Sequence, residues 1–241
     1  IYEASDSVGG RIKTELVEGY QLDRGFQVLL SAYTKALQYL DDESLELQEL
    51  LPGAVIYENA KPKTIGDPLR ASSLILPTVF SGIGSFSDKL KILSLYADLK
   101  KLSVTDIFER KETTTLAYLQ DKGFSGEIIG KFFKPFFSGI FLEPDLETSS
   151  RMFEFVFKMF GEGLAVIPKK GMGEISKHLA RQLKNTKIHF NTPVKEVKEG
   201  EIILESQEAI TTNASIIATE ASSLVSNLKN QETQWKSCHN F

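Results

Sequence analysis

The sequence has 241 residues, 41% hydrophobic and 25% charged, with a formal net charge of −4, which describes a folded globular protein long enough for one large domain or two small ones. The acidic balance argues against a nucleic-acid partner. A single cysteine, Cys238, excludes an intramolecular disulfide and fits a reducing, cytoplasmic compartment, and no apolar run reaches the ~18 residues of a membrane span.

At the start of the chain, Ile1-Tyr2-Glu3 reads as a strand end carrying an acid. In dinucleotide-binding folds such an acid, about 20 residues after a glycine fingerprint, holds the ribose hydroxyls. No fingerprint precedes Glu3 here, so the expectation is the second half of a dinucleotide-binding unit in a piece of a longer protein. Gly9-Gly10-Arg11 follows a turn-rich stretch and offers backbone amides and a guanidinium to a pyrophosphate. The pairs Gly82/Gly84, Gly161/Gly163 and Gly171/Gly173 do not replace the fingerprint. None has the order of strand, glycines and helix that sets a phosphate on a helix N-terminus.

Further along, Ala54 to Tyr57 and Lys61 to Ile65 flank Glu58-Asn59-Ala60 and predict a hairpin. Beyond Asp67-Pro68 the pattern turns helical. Ser85 with Asp88 is a start signal, and Leu90, Leu93, Ala97 and Leu99 to Leu102 predict the apolar face of a helix ending near Ser103. Thr115 to Lys122 predicts a short helix stopped by Gly123; Ser125 caps another that meets Pro135; Thr148 or Ser149 caps one running to Phe160.

That last helix is apolar on nearly every face, which predicts burial. Packing in the core is the favoured role for its rings and for Phe132, Phe133, Phe136, Phe137 and Phe141; lining an apolar tunnel or resting on lipid is the functional alternative. Lys131, Lys134, Arg151 and Lys158 interleave with these rings, a pattern that permits peripheral membrane contact. From Lys187 the period switches to strands at Ile188 to Phe190, Val194 to Val197, Ile202 to Leu204, Ile210 to Thr212 and Ser215 to Ala218. Their short spacing predicts an antiparallel meander.

Tyr2-Glu3-Ala4 through Gly9-Gly10-Arg11, then Leu22-Asp23-Arg24-Gly25-Phe26-Gln27, resembles the FAD-binding superfamily of amine oxidases, protoporphyrinogen oxidases and phytoene-type desaturases. Val166-Ile-Pro-Lys-Lys-Gly171-Met-Gly173 is similar to its P-x-G-G-M stretch, with Lys170 where the first glycine is usual. Val194 and the Ala214 to Thr219 strand match in order, and Phe132 to Phe160 resembles the desaturase-like members most.

The resemblance implies an α/β fold, α+β within this chain: a partial FAD-binding, Rossmann-like domain interleaved with a helical and antiparallel-sheet substrate domain. The expected division is 1–66, 67–165, 166–220 and 221–241. It places Glu3 on the adenosine ribose, Gly9, Gly10 and Arg11 along the diphosphate, Gly25, Phe26, Gln27 and Val28 near the flavin ring, and Val194 at adenine. Ala218 and Thr219 belong to the strand returning to the cofactor domain, and Phe133, Phe137 and Phe141 are candidates for contact with a small apolar substrate of isoprenoid, porphyrin or amine type.

Hydride transfer to a flavin needs no protein nucleophile. No general base stands out, and His178, His189 and His239 have no metal-ligand spacing, so neither a catalytic residue nor a metal is assigned. The sequence sets no oligomeric state. A competing reading is a non-catalytic fragment that binds an apolar ligand or a partner without flavin; a nicotinamide enzyme is a weaker third.

Overall fold

The computed structural model describes residues 1–24, 28–40, 42–67, 70–219 and 223–225. In chain order its first elements are β1 (Lys13–Val17), β2 (Tyr20–Arg24), β3 (Leu29–Leu30), α1 (Thr34–Leu37), α2 (Asp42–Leu45), β4 (Leu47–Glu49), β5 (Gly53–Glu58) and β6 (Lys61–Gly66). A helical stretch follows, with α3 (Ile75–Phe80), α4 (Phe86–Lys100), α5 (Val104–Glu109), α6 (Thr115–Asp121), α7 (Gly126–Ile128), α8 (Lys134–Phe141) and α9 (Ser150–Glu162). The remainder is β7 (Ala165–Pro168), α10 (Gly173–Gln182), β8 (Val194–Lys198), β9 (Glu201–Leu204) and β10 (Ala209–Thr211). Among the described residues no helix is long and apolar enough to cross a membrane.

The chain passes back and forth between two compact units. Among the described residues the first holds Ile1–Val28, Gln38–Leu47 and those from Ile167 to Val225; the second holds Leu29–Leu37 and Gln48–Val166. Within the first unit β1 and β2 form an antiparallel hairpin, Lys13 opposite Arg24 through Val17 opposite Tyr20. The predicted meander is present as β10-β9-β8, with a bulge between Val194 and Glu196. The strand expected at Ile188 to Phe190 is reduced to one parallel bridge between His189 and Tyr2. Their rings stack at 5.1 Å. Ser215 to Ala218 forms no ladder among the described residues, and Ile216 is exposed.

The second unit is built on helices whose starts the sequence marks. Ser85 with Asp88 and Ser103 with Asp106 both form reciprocal capping boxes, and Ser125 and Ser149 cap α7 and α9. The hairpin β5–β6, expected with residues 1–66, belongs to this unit. It is tied to α3 by Thr78, whose hydroxyl accepts from the Gly66 amide (2.9 Å) and donates to the Gly66 carbonyl (3.1 Å).

Three helical expectations need correction. Leu90 and Leu93 are exposed; the inward row of α4 is Asp88, Ile92, Leu95 and Leu99. Asp88 sets this rotation. Its buried carboxylate accepts from the Ser125 amide (2.9 Å) and hydroxyl (2.7 Å), so α4 turns this row toward the rest of the unit. Pro135 does not end its helix. It sits in the first turn of α8, directly after a π turn at Ile129–Phe133, and the helix continues through it to Phe141. And α9 continues past Phe160 to Glu162, where the Arg70 guanidinium donates to the carbonyls of Gly161 and Gly163.

The uniformly apolar look of α9 is also deceptive. Ser150, Glu154 and Lys158, four residues apart, form a buried polar row. Glu154 pairs with Arg110 at 2.9 Å, and the Lys158 ammonium donates to the Leu99 carbonyl (3.1 Å) and to Glu162. Burial, with the Glu154 carboxylate beside it, pushes the Tyr118 phenol well above its usual range. On the other side of α9 the rings of Phe153 and Phe137 meet at 4.7 Å and those of Phe153 and Phe133 at 5.9 Å, in the middle of the core.

Candidate cofactor site

In the first unit the strand end at Glu3 is fixed by parallel pairing. The Glu3 amide donates to the His189 carbonyl (2.9 Å), and the Thr192 amide donates to the Glu3 carbonyl (2.9 Å). Asn191 does the same to Ser5 (2.9 Å). The backbone therefore ties Glu3 to Thr192, two residues before Val194 and the start of β8 in sequence. One oxygen of the Glu3 carboxylate accepts from both the amide and the hydroxyl of Ser5, each at 2.8 Å. The other oxygen has no hydrogen bond among the described residues, and the side chain is half-buried.

Downstream of Glu3 the chain turns tightly. Gly9 and Gly10 adopt φ of 121° and 53°, and the Ile12 amide closes the turn on the Gly9 carbonyl (2.8 Å). A Cβ on Gly9 would collide with the Ile12 carbonyl oxygen, while a Cβ on Gly10 would meet open space. So Gly9 is required by the turn, and Gly10 presents bare backbone to the outside. Arg11 is exposed beside it. A nearby acid, Asp6, is paired with Lys13 at 3.3 Å; the Ser7 hydroxyl and the Lys13 ammonium hold its carboxyl below the usual range. This pairing offsets the one negative charge in the turn that would oppose an anionic ligand.

Two residues outside the expected set organise the next segment. Asp23 accepts from the Met172 amide (2.9 Å) and from the Thr14 hydroxyl, while Thr14 accepts from the Gly173 amide (2.8 Å). The hairpin β1–β2 thus supplies the N-terminal cap that α10 lacks in its own sequence, since Met172 has no capping side chain. Gly173 is needed for this approach, because a Cβ there would lie 2.7 Å from the Thr14 amide nitrogen. Asp23 lies in the Leu22–Gln27 segment that carries the resemblance, but only the glycine pair Gly171/Gly173 signals in the sequence that another backbone comes close.

The other expected residues distribute as follows. Val28 is half-buried at the end of the first unit, and Val194 opens β8 opposite Leu204. Ala218 and Thr219 are exposed in the same unit, with no strand pairing to the Glu3 edge among the described residues. Gly25, Phe26 and Gln27 lie outside the described residues. In the second unit Phe133 and Phe137 are 0% and 1% exposed, and Phe141 is half-buried at the end of α8. Phe133 and Phe137 pack inside the core of that unit. No cluster of three or more His, Cys, Asp or Glu suited to a metal occurs among the described residues.

The strand-end acid, the tight glycine turn followed by arginine and the meander all lie in the first unit. Solved structures share this fold. An oxidoreductase from Methanosarcina mazei is similar at 19% identity and a TM-score of 0.62, covering 88% of this chain and 51% of its own. Wild-type putrescine oxidase bound to putrescine (17%, TM-score 0.58) and cyclohexylamine oxidase from Brevibacterium oxydans IH-35A (16%, TM-score 0.56) are each similar over 88% of this chain and 50% of theirs. The chain thus spans about half the length of these structures. No curated protein matches it. The model of the flavin containing amine oxidoreductases matches residues 1–237, and the chain therefore belongs to that family.

Proposed function

We propose that the protein is an FAD-dependent oxidoreductase that removes a hydride from an apolar substrate of amine, isoprenoid or porphyrin type. The observation that carries this reading is the unspent oxygen of Glu3 at a strand end, next to a glycine turn with an outward-facing backbone. Glu3 would accept from the ribose hydroxyls, Gly9, Gly10 and Arg11 would lie along the diphosphate, and Val194 would pack on the adenine. Gly25 to Val28 would lead toward the flavin ring, with Ala218 and Thr219 on the returning strand. FAD, when bound, supplies the hydride-accepting chemistry.

This chain's contribution is to hold and orient. The Asp23–Thr14 pair fixes α10 against the hairpin that leads into the Gly25 segment, and burial of Phe133 and Phe137 keeps the second unit rigid behind any substrate-facing ring such as Phe141. The test is colour followed by reduction. The purified full-length protein should absorb near about 450 nm and lose that band anaerobically when a primary amine, a porphyrinogen or a polyene precursor is its substrate. A colourless protein that takes up no FAD supports instead the flavin-free ligand binder or interaction module.

A further inference from the structure

The second unit carries two apolar stripes on its outside. In α3 the residues Ile75, Leu76, Val79 and Phe80 share one face and are all exposed, Phe80 at 79%, whereas Leu74 just before the helix is buried and Thr78 is bonded to Gly66. In α4 Phe86, Leu90 and Leu93 recur at helical spacing on the face opposite Leu95 and Leu99 and are also exposed, Phe86 at 69%. The stripes are held together because the Lys89 ammonium, from the first turn of α4, donates to the Val79 carbonyl near the end of α3 (2.9 Å). Isolated surface leucines mean little, but seven large apolar side chains on two joined helices form a patch.

Its charge is one-sided. From Ala71 to Ser87 no side chain is charged. The first acid beyond, Asp88, is buried and engaged with Ser85 and Ser125. Lys89 and Lys91 bond only to backbone carbonyls and have no carboxylate partner among the described residues. The cations among the phenylalanines behave differently: Lys131 pairs with Glu58 and Glu127, Lys134 with Asp145, and Lys158 is buried with Glu162. An apolar face rimmed by uncompensated ammonium groups matches the acyl boundary and anionic headgroups of a bilayer surface.

We propose that the face made by Ile75, Leu76, Val79, Phe80, Phe86 and Leu90 docks the protein onto an anionic lipid surface, with Lys89 and Lys91 at the headgroups. The experiment is flotation of the full-length holoprotein with vesicles of phosphatidylcholine, with and without about 30% phosphatidylserine. The intact protein should float with the anionic vesicles and be released by high salt. Phe80→Ser with Phe86→Ser should lower the partition coefficient at least about thirtyfold, and Lys89→Gln with Lys91→Gln should remove the preference for phosphatidylserine, about tenfold. Thermal midpoint and bound flavin should stay the same in the phenylalanine variant, because both rings are exposed, and the lysine variant is compared on the two vesicle types below its own thermal midpoint, because Lys89 and Lys91 also bond to backbone carbonyls. The proposal is overturned if the intact protein ignores both vesicles, or if the phenylalanine variant partitions as before. It is equally overturned if that variant's only change is a smaller assembly on gel filtration, which would make the face a contact between copies or with another polypeptide segment.

Discussion

Replacing Asp88 by alanine tests whether one buried carboxylate sets the arrangement of the helical unit. Asp88 accepts from the Ser85 amide (2.8 Å) and hydroxyl (2.7 Å) and from the Ser125 amide (2.9 Å) and hydroxyl (2.7 Å), so it joins the starts of α4 and α7. Burial acts to raise its pKa, but the Ser125 amide, the two serine hydroxyls and the Ser85 amide outweigh it and bring the group down from 3.8 to about 2. A difference of that size corresponds to about 2 kcal/mol of folding stability at neutral pH. The group's pKa is lower in the folded state, so this stability is fully present above about pH 4 and is lost as the pH falls toward 2. Asp88→Ala should therefore cost about 2–4 kcal/mol at pH 7, including the donors left unsatisfied. The part of that cost arising from ionisation should fall to roughly half by pH 3. Urea unfolding of both proteins at the two pH values measures it; an equal penalty at both, or one below about 0.5 kcal/mol at pH 7, would refute the assignment.

Phe137→Ala should lower stability by about 3–5 kcal/mol, because Phe137 touches the rings of Phe133, Phe136, Phe141 and Phe153 inside the core; thermal midpoint, flavin content and turnover should fall together, whereas loss of turnover alone would show a lining role. Gly9→Ala should impair FAD binding and destabilise the first unit by at least about 1–3 kcal/mol, given its φ of 121° and the Ile12 carbonyl in the way; Gly10→Ala, with open space at its Cβ, should be milder in calorimetry. Thr14→Val removes a donor to Asp23 and an acceptor for Gly173 and should cost about 1–2 kcal/mol, with faster hydrogen exchange at the Met172 and Gly173 amides as the specific sign.

Local signals in the sequence carried much of the fold. Ser85/Asp88, Ser125 and Ser149 act as caps because short polar side chains bond to nearby amides, a relation contained in a few adjacent residues. The meander was legible for the same reason. What failed was rotation about a helix axis. In α4 both Leu90/Leu93 and Leu95/Leu99 are apolar stripes, and the choice between them is made by Asp88 reaching Ser125, 37 residues away in sequence. In α9 the phenylalanines masked Glu154 and Lys158, whose burial depends on partners in other helices, Arg110 and the Leu99 carbonyl. Of the candidate site, Glu3 and the Gly9-Gly10 turn could be read from residue types. The Asp23–Thr14 cap could not, since it joins segments nearly 150 residues apart.

The central claim, that Glu3 and the turn after it hold the adenosine diphosphate of FAD, is tested most directly by titrating the full-length apoprotein and its Glu3→Ala variant with FAD and following quenching of flavin fluorescence. Loss of one or two hydrogen bonds from ribose to a charged acceptor should weaken binding by about 2–5 kcal/mol, at least about thirtyfold in Kd, with the thermal midpoint of the apoprotein little changed. An unchanged Kd would contradict the placement of Glu3 on the ribose, and no saturable FAD binding by the intact protein would contradict the flavin function itself.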